Sequence, residues 1–311
     1  TDGKRRETVL VLLWPDSARL GREGDGSPWR PSRGGWMLIG GHDEPAAGLQ
    51  WLIERAAGGD LLVLQASEDP RQATQDLWHV ARQLPPSGDR APLHSVETLV
   101  VSTRQQAQSP RVAAKIRQAE ALLISGGDQS RYLELWTGTP LHAALHEVIQ
   151  RGAVTIAGNS AGLALLGQVI YAGPPDLDGL CRKAGVHNPY HPTIVFHGGL
   201  ATQPVRPRFV DIPLFDQVLM ETHFRQRERM DRFVTLLARG TQDRLLNTAL
   251  SFFLGAYDDE EEDPGSDDGT TSSSFYVGDA AGDGCAVECE QTLTTRGCAG
   301  TPSMALVCCV M

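Results

Sequence analysis

Long apolar runs are missing from this 311-residue chain. No stretch approaches the roughly 18 to 20 residues that a membrane-spanning helix needs. The N-terminal run Val9 to Trp14, although preceded by Lys4, Arg5 and Arg6, is shorter than the apolar core of a secretory signal. No membrane partner is expected. Cysteine is nearly missing from the body: Cys181 alone precedes Tyr257, whereas Cys285, Cys289, Cys298, Cys308 and Cys309 follow it. A body so poor in Cys suits a reducing compartment, and a cytoplasmic location is the expectation. Bases are what the last stretch lacks. From Tyr257 to Met311 there are 12 Asp and Glu against Arg296 alone, which leaves 26 acids and 27 bases before it. The net charge of −10 therefore belongs to the tail, the body is near neutral, and no nucleic-acid partner is expected. The tail also lacks His, and its Cys spacing fits no familiar zinc pattern, so neither a metal nor a cofactor is expected.

What is present is a regular alternation. Short Val-, Ile- and Leu-rich runs, each closed by Gly, Ser or Asp, recur at Thr8 to Leu13, Trp36 to Ile39, Leu61 to Leu64, Glu97 to Val101, Ala121 to Ile124 and Val154 to Ala157. Uninterrupted runs of this length read as strands buried on both faces. Helix-length segments lie between them: Ala46 to Ala56, Asp69 to Gln83, Pro110 to Glu120 and Pro140 to Arg151. The β-α-β-α order predicts a mostly parallel α/β sheet with helices on both faces, and a ligand site beyond the carboxyl ends of the strands. Gly173 to Pro213 has no period and reads as a long excursion. Phe224 to Arg239 reads as a helix with an apolar stripe of Met230, Phe233, Val234 and Leu237. From Asp258 an acidic run gives way to Gly, Ser and Thr, which predicts an irregular, poorly ordered tail. The expected division is residues 1–256 as one domain and 257–311 as the tail. An acidic spacer before a Cys/Thr/Ser-rich end also has the layout of a leader and core in a ribosomal peptide precursor.

Three segments carry candidate chemistry. Gly158-Asn159-Ser160-Ala161-Gly162 is a G-x-S-x-G between an apolar run and a helix-like segment, Leu163 to Ile170. That setting is a nucleophile elbow: it exposes a serine at a strained turn, although a serine there also serves as an ordinary helix cap. Ser125-Gly126-Gly127-Asp128-Gln129 ends another run, where glycines let backbone N–H groups approach a substrate oxygen or simply make a β-α turn. Glu221-Thr222-His223-Phe224 precedes an arginine-dense stretch; histidine suits proton transfer and arginine suits carboxylates, while Arg225, Arg229 and Arg232 also fall on one helix side as a solvated face would.

Taken together with Leu38-Ile39-Gly40-Gly41, Gly138-Thr139-Pro140 and the R-x-R-x-x-R of Arg227, Arg229 and Arg232, these segments resemble the cyanophycinase-like branch of the S51 serine peptidases, which includes aspartyl dipeptidases. The resemblance runs from about Trp36 to Ala249. It implies a class I glutamine-amidotransferase-like (flavodoxin-like) fold, often dimeric, and hydrolysis through an acyl-enzyme at acidic peptide or isopeptide bonds, β-aspartyl-arginine or Asp-X. It implies Ser160 as nucleophile, His223 as base, oxyanion donors at the backbone of Gly127 and Ala161, and substrate contacts from Gln129, Glu221, Thr222, Arg227, Arg229 and Arg232. The chain departs from the family at Glu221-Thr222, where cyanophycinases usually have Asp-Gln. It departs again at Leu245-Leu246-Asn247-Thr248-Ala249, where D-E-N-T-A is usual and the triad acid is replaced by Leu. Asp243 is the nearest substitute by sequence. The alternatives are a catalytically impaired binding or carrier module that kept the fold and pocket, and an ordinary α/β-hydrolase sharing the nucleophile elbow.

Overall fold

The computed structural model describes residues 11–14, 17–21, 34–41, 46–67, 69–85, 93–167, 170–171, 190, 196–197, 208–215, 219–224 and 227–242, and short strands between 252 and 287. The strands are β1 (Val11–Trp14), β2 (Ser17–Gly21), β3 (Gly35–Ile39), β4 (Asp60–Gln65), β5 (Ser95–Val100), β6 (Ala121–Ile124), β7 (Thr155–Asn159), β8 (Ile170–Tyr171), β9 (Phe196–His197), β10 (Met220–Glu221), β11 (Phe252–Phe253), β12 (Ala256–Tyr257), β13 (Ser272–Ser273), β14 (Phe275–Gly278) and β15 (Gly284–Val287). Among the described residues, nine of them form one sheet in the order β1-β2-β5-β4-β6-β7-β3-β14-β15. The central strands β5, β4, β6, β7 and β3 run parallel, while β2, β1, β14 and β15 are antiparallel additions at the two edges.

Alternation along each central strand divides the apolar residues between two cores, because successive side chains point to opposite faces. Trp36, Leu38, Leu62, Leu64, Leu122 and Ile124 face one side. Met37, Ile39, Leu61, Val63, Ala121 and Leu123 face the other. Helices α1 (Ala46–Arg55) and α2 (Pro70–Gln83) cover the second core, while α3 (Arg104–Ala107), α4 (Pro110–Gln118), α5 (Gln129–Trp136), α6 (Pro140–Arg151) and α7 (Ala161–Leu166) cover the first. Their starts follow from local chemistry. Asp69, Thr103, Asp128 and Thr139 each accept a backbone N–H in the first turn, and Pro occupies the first helical position of α2, α4 and α6.

The expected strands and helices of the body therefore appear where the sequence places them. Four local differences from the expectation stand out. The first apolar run does not join the parallel set, because β1 turns straight back into β2 and the pair lies antiparallel at the edge. The helix after Ser160 stops at Leu166, where Gly167 leaves the helical conformation, and Ile170 is already in β8. Beyond the boundary placed near Tyr257, the Phe275–Gly278 strand pairs with β3 and turns into β15, which carries the sheet past the acidic run. The final helix, α8 (Met230–Gln242), begins later than the expected Phe224.

Candidate active site

The G-x-S-x-G segment forms the bend between β7 and α7, and both glycines are required by packing. A Cβ on Gly158 would lie 2.7 Å from the Gly162 carbonyl oxygen, and one on Gly162 only 1.9 Å from that of Ile124. The helix thus sits too close to β6 and β7 for any side chain at the crossing. Ser160 between them takes φ 50°, ψ −113°, a sparsely populated conformation that costs about 1–3 kcal/mol and persists only where surroundings over-determine it. Those surroundings include the Ser160 N–H, which donates to the Ile39 carbonyl at 3.0 Å.

The next residue of that same loop holds the histidine. The Gly40 carbonyl accepts the His223 N–H at 2.8 Å. Adjacent carbonyls at the end of β3 therefore anchor the two side chains, and Ser160 Oγ lies 2.7 Å from His223 Nε2. With the proton on oxygen, the hydroxyl donates to the imidazole; the imidazole can take that proton outright when the oxygen attacks. His223 is also left-handed, at φ 48°, which costs a non-glycine residue about 1–2 kcal/mol. Gly41 lies against its ring. A Cβ there would come within 2.3 Å of Cε1 and 2.5 Å of Nδ1, and the φ of +141° is itself a glycine conformation. The Gly40-Gly41 pair is thus part of the site, a role its motif alone did not reveal.

The Ser125 to Gln129 segment comes from the end of β6. Gly126 passes close to the serine, since a Cβ on it would contact Ser160 Cβ at 3.5 Å, and Gly127 has φ +126°. Tyr132, buried on α5, donates its hydroxyl to the Gly126 carbonyl at 2.6 Å, with the Ser125 carbonyl 3.0 Å away. Its ring meets Trp136 edge-on. In the sequence Tyr132 reads as core, as an aromatic on an amphipathic helix does. Ala161, the first residue of α7, carries an N–H with no acceptor inside the helix. Gln129 does not project freely: its Nε2 donates to the Tyr171 carbonyl at 2.9 Å.

Of the residues expected to contact substrate through their charges, three pair with one another or with the main chain. Glu221, Arg229 and Arg232 are 2%, 5% and 6% exposed. Arg232 grips Glu221 with two nitrogens, Nε to Oε2 at 2.9 Å and Nη2 to Oε1. Arg229 Nη1 lies 3.6 Å from Glu221 Oε1 and donates to the Thr222 carbonyl at 2.7 Å and its hydroxyl at 3.1 Å. The Arg232 guanidinium also lies over the Tyr171 ring, whose own carbonyl holds Gln129. These side chains form an internal wall beside the serine–histidine pair. Arg227, by contrast, is exposed. The basic side of α8 thus faces inward, and of the expected apolar stripe Phe233 is buried while Met230 and Val234 are each 53% exposed. A buried carboxylate on the neighbouring strand demands cations more strongly than two apolar side chains demand burial. Asp243 and Leu245 to Ala249 lie outside the described residues.

A second histidine cluster stands apart. The Gly138 N–H donates to His142 Nδ1 at 3.0 Å, so the ring proton is on Nε2, which donates to the Phe209 carbonyl. His146 Nε2 lies 2.9 Å from the same oxygen. Burial holds the His142 pKa below its ordinary value, opposed by the bond to Phe209 and assisted by the neighbouring His146.

Residues 92–173, which include Gly127, Ser160 and Ala161, match the model of peptidase family S51. The chain is 28% identical over 147 residues to a cyanophycinase of Trichormus variabilis, covering 46% of this chain and 41% of that protein. It is 27% identical over 209 residues to a cyanophycinase of Synechococcus elongatus, covering 65% and 56%. It thus spans about two fifths of the length of the first of these relatives. A solved peptidase from an acI-B1 actinobacterium aligns with 81% of this chain and 85% of its own, at 18% identity and a TM-score of 0.46. By sequence, the chain is similar to cyanophycinases over part of their length, and its segment 92–173 matches peptidase family S51.

Proposed function

We infer that the protein is a serine-type peptidase that cleaves peptide or isopeptide bonds at acidic residues, of the β-aspartyl-arginine or Asp-X kind, through an acyl-enzyme. The observation that carries this reading is the 2.7 Å contact between Ser160 Oγ and His223 Nε2, with both backbones anchored to adjacent carbonyls at the end of β3. Ser160 attacks the scissile carbonyl while His223 takes the hydroxyl proton. The backbone N–H groups of Gly127 and Ala161 stabilise the resulting oxyanion. His223 returns the proton to the leaving amine, and water, activated by the same imidazole, then hydrolyses the ester. We assign Arg227, exposed on the segment after His223, to a substrate carboxylate.

Hydrolysis of β-aspartyl-arginine and of Asp-X peptides tests this reading. Ser160→Ala lowers turnover by about 10⁴-fold or more if the serine is the nucleophile, and unchanged turnover in that variant overturns the assignment. Leu246 at the acid's usual position favours a second reading, a binding or carrier module without turnover. Tight binding of the same peptides with no product at any pH supports that module over the peptidase.

A further inference from the structure

The left-handed backbone at His223 needs support from both sides, and one residue supplies it. The Arg229 guanidinium holds the carbonyl and hydroxyl of Thr222, the residue before the histidine, at 2.7 and 3.1 Å. The Arg229 backbone N–H donates to the carbonyl of Phe224, the residue after it, at 2.8 Å. Between them the Arg227 N–H donates to the His223 carbonyl at 3.1 Å. Glu221 closes the frame, accepting the Thr222 N–H at 2.9 Å while Arg232 fixes its carboxylate.

We propose that Arg229 is a positioning residue for His223: it grips the peptides on either side of the histidine and so sets the imidazole against Ser160, instead of binding substrate. The proposal rests on the serine-peptidase reading above. It follows from where the guanidinium is spent, because a charge-assisted bond to a main-chain carbonyl beside a strained residue fixes backbone direction. A ring displaced by about 1 Å loses on the order of 100-fold in rate.

The test uses the full chain and a small neutral alkyl fluorophosphonate, which carries no carboxylate for an arginine to recognise. With Arg229→Met, the labelling rate of Ser160 and kcat are expected to fall about 10- to 100-fold while KM changes less than about threefold; Arg229→Lys recovers part of the rate. Labelling at the wild-type rate with KM raised about tenfold or more makes Arg229 a substrate contact and overturns the proposal. Thr222→Val, which removes only the hydroxyl contact, guards against a variant that does not fold. It is expected to label about threefold or more slowly at an unchanged melting temperature, and an unchanged rate again overturns the proposal. Absence of labelling in the wild-type protein removes the serine reading itself and this proposal with it, whereas normal wild-type labelling with indifferent variants removes only the proposal.

Discussion

His223 and His142 are imidazoles with a glycine at the ring, yet they are held in opposite ways. At His223 the glycine contributes space: Gly41 has no side chain, so the ring can lie where a Cβ would be, and Nε2 faces a hydroxyl. At His142 the glycine contributes a proton donor: the Gly138 N–H occupies Nδ1, and Nε2 is committed to the Phe209 carbonyl. One ring is aimed at a group that can give up a proton, and the other is locked between two main-chain groups that cannot. The residue type is the same; the partner decides whether it serves chemistry or structure.

The comparison can be broken at either end. Gly41→Ala is expected to have the largest effect, lowering hydrolytic activity by about 100-fold or more through displacement of the imidazole. Circular dichroism should show the fold retained, and steady-state kinetics with activity near wild type would show that the ring tolerates a neighbour there. Glu221→Ala comes next. It removes the carboxylate from two buried guanidiniums and is expected to cost about 3–5 kcal/mol of stability in denaturant unfolding, as when one partner of a buried pair is deleted; a loss below about 1 kcal/mol would place the arginines in solvent.

The smallest effect lies at His142. Its folded pKa is lowered, so the unfolded chain binds more protons in the window between that lower value and about 6.5, the ordinary value. The stabilisation is complete above that pH and is lost as the pH falls through the lower folded value. A proton on Nδ1 would also face the Gly138 N–H and add charge beside His146. Melting temperatures measured between pH 7 and 5 should therefore decline less steeply in His142→Asn than in the wild type; equal slopes would show that this ring does not couple to stability.

Much of this was legible in the chain. Val- and Leu-rich runs became the parallel strands because each buries both faces, and the Ser160 bend was legible because its glycines answer a steric demand made by Ile124 and by Gly162 itself. The arginine face of α8 was not. Helical periodicity assigns Met230 and Val234 to the core, but Glu221, distant in sequence, is buried against that helix and draws Arg229 and Arg232 inward. Periodicity sees one element at a time and cannot register a charge supplied by another. Tyr132 and Gly41 escaped for the same reason, since each is defined by a partner on a different segment.

The central claim, that a hydroxyl and an imidazole meet as a working pair, is most directly tested by mass-spectrometric mapping of the fluorophosphonate adduct on the intact chain. The account predicts one adduct, on the peptide carrying Ser160, formed at least about 100-fold more slowly in His223→Ala. An adduct elsewhere, no adduct, or a His223→Ala variant that reacts as fast as the wild type would contradict it.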